Sequence, residues 1–164
     1  MSLRTRETIK LKLKINGEDN CFAILPGDRL STVLRREGYL SVKTGCYTGD
    51  CGTCTVLLDG QPIVSCLMLA AQAQGSSLTT VEALAQGSEL HLLQKAFLDE
   101  GAVQCGFCTP GMLLSALALL RRVPHPSEEQ VREAFSGNLC RCTGYERPVR
   151  AVLKAAAATE ESSK

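Results

Sequence analysis

The sequence predicts an α+β chain in two parts, an N-terminal β-grasp sheet domain followed by a C-terminal four-helix bundle. Three observations carry that prediction. Up to about Val81, apolar and polar residues alternate, punctuated by Asn16-Gly17 and Asp59-Gly60, the pattern of strands joined by tight hairpins. Beyond Val81 the alternation stops and apolar residues recur at helical spacing. Eight of the nine cysteines fall into two groups of four, one group in each part.

Ile9, Leu11, Leu13 and Ile15 alternate with Lys10, Lys12 and Lys14, a half-exposed strand whose lysines form a solvated face or protect an edge. Asn16-Gly17 turns the chain into a second strand, Asn20 to Leu25. There Cys21 is in phase with Ala23 and Leu25 and reads as a core or half-buried side chain. Pro26-Gly27 ends the strand, and Leu30, Val33 and Leu34 mark a short helix that closes at Gly38. Thr55 to Leu58 and Gln61 to Val64 flank Asp59-Gly60, so Leu58 should face Gln61 and Thr55 should face Val64. A last strand is expected over Ser77 to Val81.

The helical part begins with Leu90, Leu93, Phe97 and Leu98, ended by Gly101. A second helix is expected from Thr109-Pro110, with Thr109 as cap and Pro110 in the first turn, to the cations Arg121-Arg122. Ser127-Glu128-Glu129-Gln130 is a capping box that opens a third helix through Phe135. Pro148 is expected to open the fourth, carried by Val149, Val152 and Leu153 into an alanine run. These segments give expected domains at 4–81 and 82–158, with a frayed polar tail at 159–164.

A net charge of +1 and 4% aromatic residues argue against a basic, aromatic-laced nucleic-acid surface. The longest apolar stretch, Met112 to Leu120, is too short for a membrane span. Met1 to Arg6 leads into lysines rather than an apolar segment, so no secretory or twin-arginine signal is visible and the cytoplasm is expected. The odd cysteine count and a reducing compartment both oppose a disulfide framework. Metal ligation by eight cysteines, with Cys21 to spare, fits better.

Cys46, Cys51 and Cys54 follow the C-x4-C-x2-C spacing by which plant-type ferredoxins hold three corners of a [2Fe–2S] cluster. The hairpin at Asp59-Gly60 brings Cys66 back beside Cys54, which supplies a fourth thiolate and makes this domain ferredoxin-like. In the helical part, Cys105-Gly106-Phe107-Cys108-Thr109 and Cys140-Arg141-Cys142-Thr143 each lie between two helices, a weak repeat that would place four thiolates at one junction. Taken alone, that set suits structural zinc as well as a second cluster. Its company favours the cluster, because two redox centres in one chain make an electron path.

Three motifs together carry a resemblance: Gly45-Cys46 through Cys54, Gln104-Cys105-Gly106-Phe107-Cys108-Thr109-Pro110-Gly111, and Gly137-Asn138-Leu139-Cys140-Arg141-Cys142-Thr143-Gly144-Tyr145. Over roughly Ile9 to Ala157, the chain strongly resembles the small iron–sulfur subunit of the xanthine oxidase family of molybdenum hydroxylases. The resemblance implies an electron-transfer subunit with two [2Fe–2S] clusters, a large molybdopterin-binding partner and, usually, an FAD-binding medium subunit. Electrons would run from molybdenum to the helical-domain (inner) cluster, then to the plant-type (outer) cluster, then to flavin. It further implies Cys46, Cys51, Cys54 and Cys66 as outer ligands, and Cys105, Cys108, Cys140 and Cys142 as inner ones. Gln104, otherwise an ordinary helix-end residue, matches a glutamine that bonds the pterin, and Cys142 matches the ligand nearest it. Thr53 stands where the family commonly has alanine, and Tyr47-Thr48 where Gly-Glu is commoner. Neither is expected to touch a ligand.

His91 and His125 lie outside the cysteine motifs and read as surface histidines, and Glu128-Glu129 already serve a helix start. With no nucleophile–base pair or phosphate loop legible, no catalytic residue is assigned. The rival readings are a free-standing ferredoxin-like carrier, which would need neither helical domain nor Gln104, and a structural zinc protein.

Overall fold

A computed structural model describes residues 7–161. Strands β1 (Ile9–Ile15) and β2 (Glu18–Ile24) form the first hairpin, helix α1 (Leu30–Arg36) crosses, and β3 (Thr55–Leu58) and β4 (Gln61–Val64) form the second. Strand β5 (Ser77–Thr79) then inserts between β1 and β3, giving the order β2-β1-β5-β3-β4. It runs parallel to β1 and antiparallel to β3. Both hairpin turns take positive φ at their two central residues, Asn16 and Gly17, and Asp59 and Gly60, which matches the strand twist. In the second hairpin, Leu58 faces Gln61 and Thr55 faces Val64, the register read from the sequence.

Strand β5 stops short of the expected Val81. The Asn16 carboxamide accepts from the Thr80 backbone N–H at 2.8 Å and donates to its hydroxyl at 2.9 Å. That leaves no ladder donor at Thr80, and the chain turns through a 3-10 segment at Val81–Ala83. Cys21 is a second departure. It is exposed, opposite Lys12 in the register, so the inward phase of β2 belongs to Phe22 and Ile24. A one-residue shift in phase moves every side chain to the other face.

Helices α2 (Leu92–Asp99), α3 (Thr109–Arg122), α4 (Glu128–Phe135) and α5 (Glu146–Glu161) follow. His91 caps α2, its Nδ1 accepting from the Leu93 N–H at 3.2 Å, so it is a half-buried structural residue rather than a plain surface histidine. Cys108, not Thr109, occupies the N-cap of α3. Ser127 and Gln130 form the expected box on α4. α5 starts two residues before Pro148, which the first turn tolerates because its N–H would go unused there. The helix continues to Glu161, inside the expected tail, and residues 162–164 lie outside the described ones.

Two cores result, and β3 belongs to both. Val56 points to the sheet side with Leu11, Leu13, Leu30, Leu34 and Leu78. Leu57 points to the helical side with Phe97, Met112, Leu114 and Phe135. The helical region therefore packs on the face of β3 opposite α1, which sets the two cysteine loops side by side.

Candidate metal centres

The first site grows from the loop ahead of β3. Arg29 Nη1 donates to the Tyr47 carbonyl at 2.8 Å and Lys43 N–H to the Thr53 carbonyl at 3.1 Å, fixing the loop to α1 and to the preceding strap. At the open end of the β3–β4 hairpin, the Ser65 hydroxyl donates to the Cys54 carbonyl at 2.7 Å. This bond closes the hairpin so that Cys54 and Cys66, both buried, meet. Cys46 and Cys51 are half-buried on the loop itself. Two residues expected to be remote do touch ligand positions. The Thr48 N–H donates to Cys46 Sγ at 3.4 Å, and Thr53 Oγ1 lies 3.2 Å from Cys51 Sγ. Sequence spacing hid both, because the loop folds back within two residues.

The second site is assembled from two loops. Cys105 is exposed and Cys108 buried between α2 and α3; Cys140 is half-buried and Cys142 exposed between α4 and α5. Tyr145, at φ +68°, organises the latter loop: its hydroxyl accepts from the Cys140 N–H at 2.8 Å and donates to the Asn138 carbonyl at 3.2 Å. Thr143 Oγ1 lies 3.1 Å from Cys140 Sγ and accepts from the Tyr145 N–H at 3.3 Å. Gln104 is exposed, and its Nε2 donates to the Cys142 carbonyl at 3.0 Å, tying one cysteine loop to the other.

Between the two sites lies a buried polar knot that the sequence reading did not single out. Asn138, 3% exposed, donates to the Gly52 carbonyl at 3.0 Å and to the Thr55 hydroxyl at 3.3 Å, and accepts from the Ser115 hydroxyl at 2.7 Å. Next to it the Leu139 N–H donates to the Cys51 carbonyl at 2.9 Å, joining a first-site cysteine to the residue before Cys140. Gly52, at φ +66°, leaves no room for a side chain: a Cβ there would sit 1.9 Å from the Gly137 carbonyl oxygen. The available signal was Ser115, a lone hydroxyl inside the apolar run of α3.

In the second quartet one pair of thiols is in contact, Cys105 with Cys142. The Cys105 and Cys142 sulfurs are 3.6 Å apart, close to the roughly 3.8 Å bite of two thiolates at about 2.3 Å on one tetrahedral metal. Four thiolates on a single ion would all be so spaced. Among the described residues no three His, Cys, Asp or Glu side chains converge in that way. A di-iron cluster takes a pair of thiolates for each iron, and two sets of four free cysteines fit it.

The protonation pattern is mixed within each set. Hydrogen bonds from Thr48, and then from Cys51, pull Cys46 down to about 6. Burial, reinforced by Cys54, pushes Cys66 up to about 11, and burial with Cys140 pushes Cys108 up to about 12. Burial also opposes ionisation of Cys140, but bonds from Thr143 outweigh it and the net shift is downward. Cys142 is raised by its partner Cys105. The thiols held protonated would lose their protons to an entering metal, which couples loading to pH.

Residues 13–90 match the family described as 2Fe-2S iron-sulfur cluster binding domain, and residues 80–153 match [2Fe-2S] binding domain. The chain is 50% identical over 138 residues to the nicotinate dehydrogenase small FeS subunit of Eubacterium barkeri, covering 84% of this chain and 88% of that protein. It is 47% identical over 152 residues to the xanthine dehydrogenase iron-sulfur-binding subunit of Escherichia coli O157:H7, covering 90% and 94%. The crystal structure of quinoline 2-oxidoreductase from Pseudomonas putida 86 superposes at a TM-score of 0.90 and 46% identity, over 94% of this chain and 97% of that one. The aldehyde oxidoreductase of Desulfovibrio desulfuricans ATCC 27774 gives 0.89 and 44% over 93% of this chain, which there corresponds to 17% of a longer polypeptide.

Proposed function

The chain belongs to the small iron–sulfur subunits of the xanthine oxidase family of molybdenum hydroxylases, and from that premise we propose which of its residues carry electrons and where its partners sit. It is an electron-transfer subunit of an oxidoreductase and holds two [2Fe–2S] clusters, groups that take up and release one electron at a time. Cys46, Cys51, Cys54 and Cys66 ligate the outer cluster; Cys105, Cys108, Cys140 and Cys142 ligate the inner one. The observation that carries this assignment is the convergence of the cysteines of each quartet: Ser65 closes the hairpin that brings Cys66 to Cys54, and the Cys105 and Cys142 sulfurs from two loops lie 3.6 Å apart.

The inner site faces a large molybdopterin-binding subunit, and the outer site delivers electrons to a medium FAD subunit. Supporting this orientation, Gln104, Cys105 and Cys142 are all exposed, and Cys142 is held by Gln104 through its carbonyl and lies against Cys105 through its sulfur. Gln104 thus presents a held amide at the surface, and we assign it the pterin contact, with Cys142 as the ligand nearest that cofactor. Supporting a division into a sheet domain (4–81) and a four-helix bundle (82–158), β5 ends at Thr79 and a 3-10 segment follows at Val81–Ala83 before the helices. Nine thiols suit the reducing cytoplasm. No helix among the described residues is long and apolar enough to cross a membrane. Substrate conversion takes place on the large partner, so no residue here is catalytic.

Metal analysis of the anaerobically purified complex tests the assignment: about four irons per chain and no stoichiometric zinc are expected from two di-iron sites. Zinc in either quartet would overturn it. For the partner face, Gln104→Ala should leave both clusters in place while slowing their reduction by substrate or loosening the pterin. An unchanged rate, with the cofactor fully retained, would remove Gln104 from that role.

A further inference from the structure

Among the described residues the Thr53 hydroxyl has one hydrogen-bond partner. The residue is 5% exposed, its carbonyl is held by the Lys43 N–H at 3.1 Å, and its Oγ1 lies 3.2 Å from Cys51 Sγ. The backbone at Gly45 lies over the pair, where a Cβ would come within 2.9 Å of that sulfur and 3.0 Å of the hydroxyl oxygen. The burial of Thr53 leaves its hydroxyl little access to water. In the free thiol either partner can donate. Once Cys51 is bound to iron as a thiolate it has no proton, and the hydroxyl becomes the donor.

We propose that Thr53 sets the reduction potential of the outer cluster by donating an O–H···S hydrogen bond to Cys51. The inference rests on Cys51 being a cluster ligand. An electron added to the iron raises the negative charge on its thiolates, and a hydroxyl dipole directed at one of them stabilises that added charge. The sign follows: with the hydroxyl the outer cluster accepts an electron more readily, and without it the potential falls. Because the contact is made only at Cys51, the effect belongs to the outer cluster alone. The outer site is thereby favoured as the electron's resting place on its way out of the chain.

The test is a redox titration of the intact complex followed by EPR, comparing wild type with Thr53→Val, which keeps the shape, and Thr53→Ser, which keeps the donor. Iron content and the inner-cluster midpoint should match wild type in both variants. The outer midpoint should fall in Thr53→Val and return towards wild type in Thr53→Ser. An outer midpoint unchanged in Thr53→Val, equal shifts of both clusters, or a Thr53→Ser variant that behaves like Thr53→Val would each overturn the proposal. If Thr53→Val fails to assemble the outer cluster, the Ser variant decides, since it must then retain both cluster and midpoint. A failure of the underlying ligand assignment looks different: the wild type itself would lack one of its two reducible signals.

Discussion

Three of the four outer cysteines share one loop, and a hairpin of two four-residue strands returns the fourth. The inner four arrive as two pairs on separate loops, joined only when α2 and α3 pack against α4 and α5. The outer site is thus encoded by short-range turns and the inner one by a core. What links them is also tertiary: Asn138 and the Leu139 N–H reach from the inner loop to the carbonyls of Gly52 and Cys51. A locally built site should survive damage to the helical core, whereas the link between the sites should not.

The severest way to break this arrangement is at Gly52. An alanine there would carry its Cβ into the Gly137 carbonyl oxygen at 1.9 Å with φ at +66°, so the loops could not dock. Gly60, at φ +83° with nothing near it, provides the control for backbone strain alone. Gly60→Ala should cost about 1 kcal/mol. Gly52→Ala should cost more than about 3 kcal/mol and lower the iron content of the complex. Thermal unfolding and metal analysis of the pair check this; equal effects would mean the close approach is unimportant.

Next in size is the loss of one site at a time. Cys51→Ser should remove or reshape only the outer EPR signal, and Cys108→Ser only the inner one. Cys108 is the more exacting position, since it is buried and serine there would bury a hydroxyl in place of a thiol. Its variant should therefore also lower stability, while Cys51→Ser should not do so to the same degree. Signals that change together in either variant would show that the quartets are not independent.

Asn138→Ala tests the link with a smaller perturbation. It removes two donated bonds and strands the Ser115 hydroxyl, a buried loss of about 3 kcal/mol. Urea unfolding of the complex should register it. Both clusters should remain, with weaker magnetic interaction between them as the loops separate.

The strands and hairpin register were legible because turn chemistry and alternation are local: Asn16-Gly17 and Asp59-Gly60 dictate their turns wherever they occur. The C-x4-C-x2-C loop was legible for the same reason. What escaped the sequence was set by partners distant along the chain. Thr80 left the ladder because Asn16 took its N–H, and Cys21 turned outward because the register opposite Lys12 fixed its phase. The inner quartet could be read as zinc or iron from its spacing, and it is the match of residues 80–153 to a [2Fe-2S] binding domain that favours iron. Asn138 looked like one more motif residue, because its three partners come from two segments far from it along the chain. Thr53 looked silent because only the folded loop carries its hydroxyl to sulfur.

The smallest expected effect again separates the two halves. Both histidines lie in the helical part, and one of them, His91, caps the helix that leads into Cys105. Burial, followed by the nearby Arg121, holds its pKa below the usual histidine value. The cap depends on the same neutral form: His91 accepts the Leu93 N–H at Nδ1, and protonation would remove that lone pair. The folded pKa lies below the unfolded one, so the unfolded state binds more protons in between and stability rises with pH across that interval. The contribution is fully present above about 6.5, the unfolded value, and is lost as pH falls through the lowered folded value. Part of the ring is solvated, so the effect should stay under about 1 kcal/mol, the scale of an ordinary cap. Hydrogen exchange on the complex between pH 7.5 and 5.5 should show α2 loosening while β1 to β5 stay unchanged. In His91→Asn, which keeps a capping acceptor but cannot titrate, that pH dependence should disappear. Equal loosening of the sheet, or its persistence at α2 in His91→Asn, would place the titrating group elsewhere.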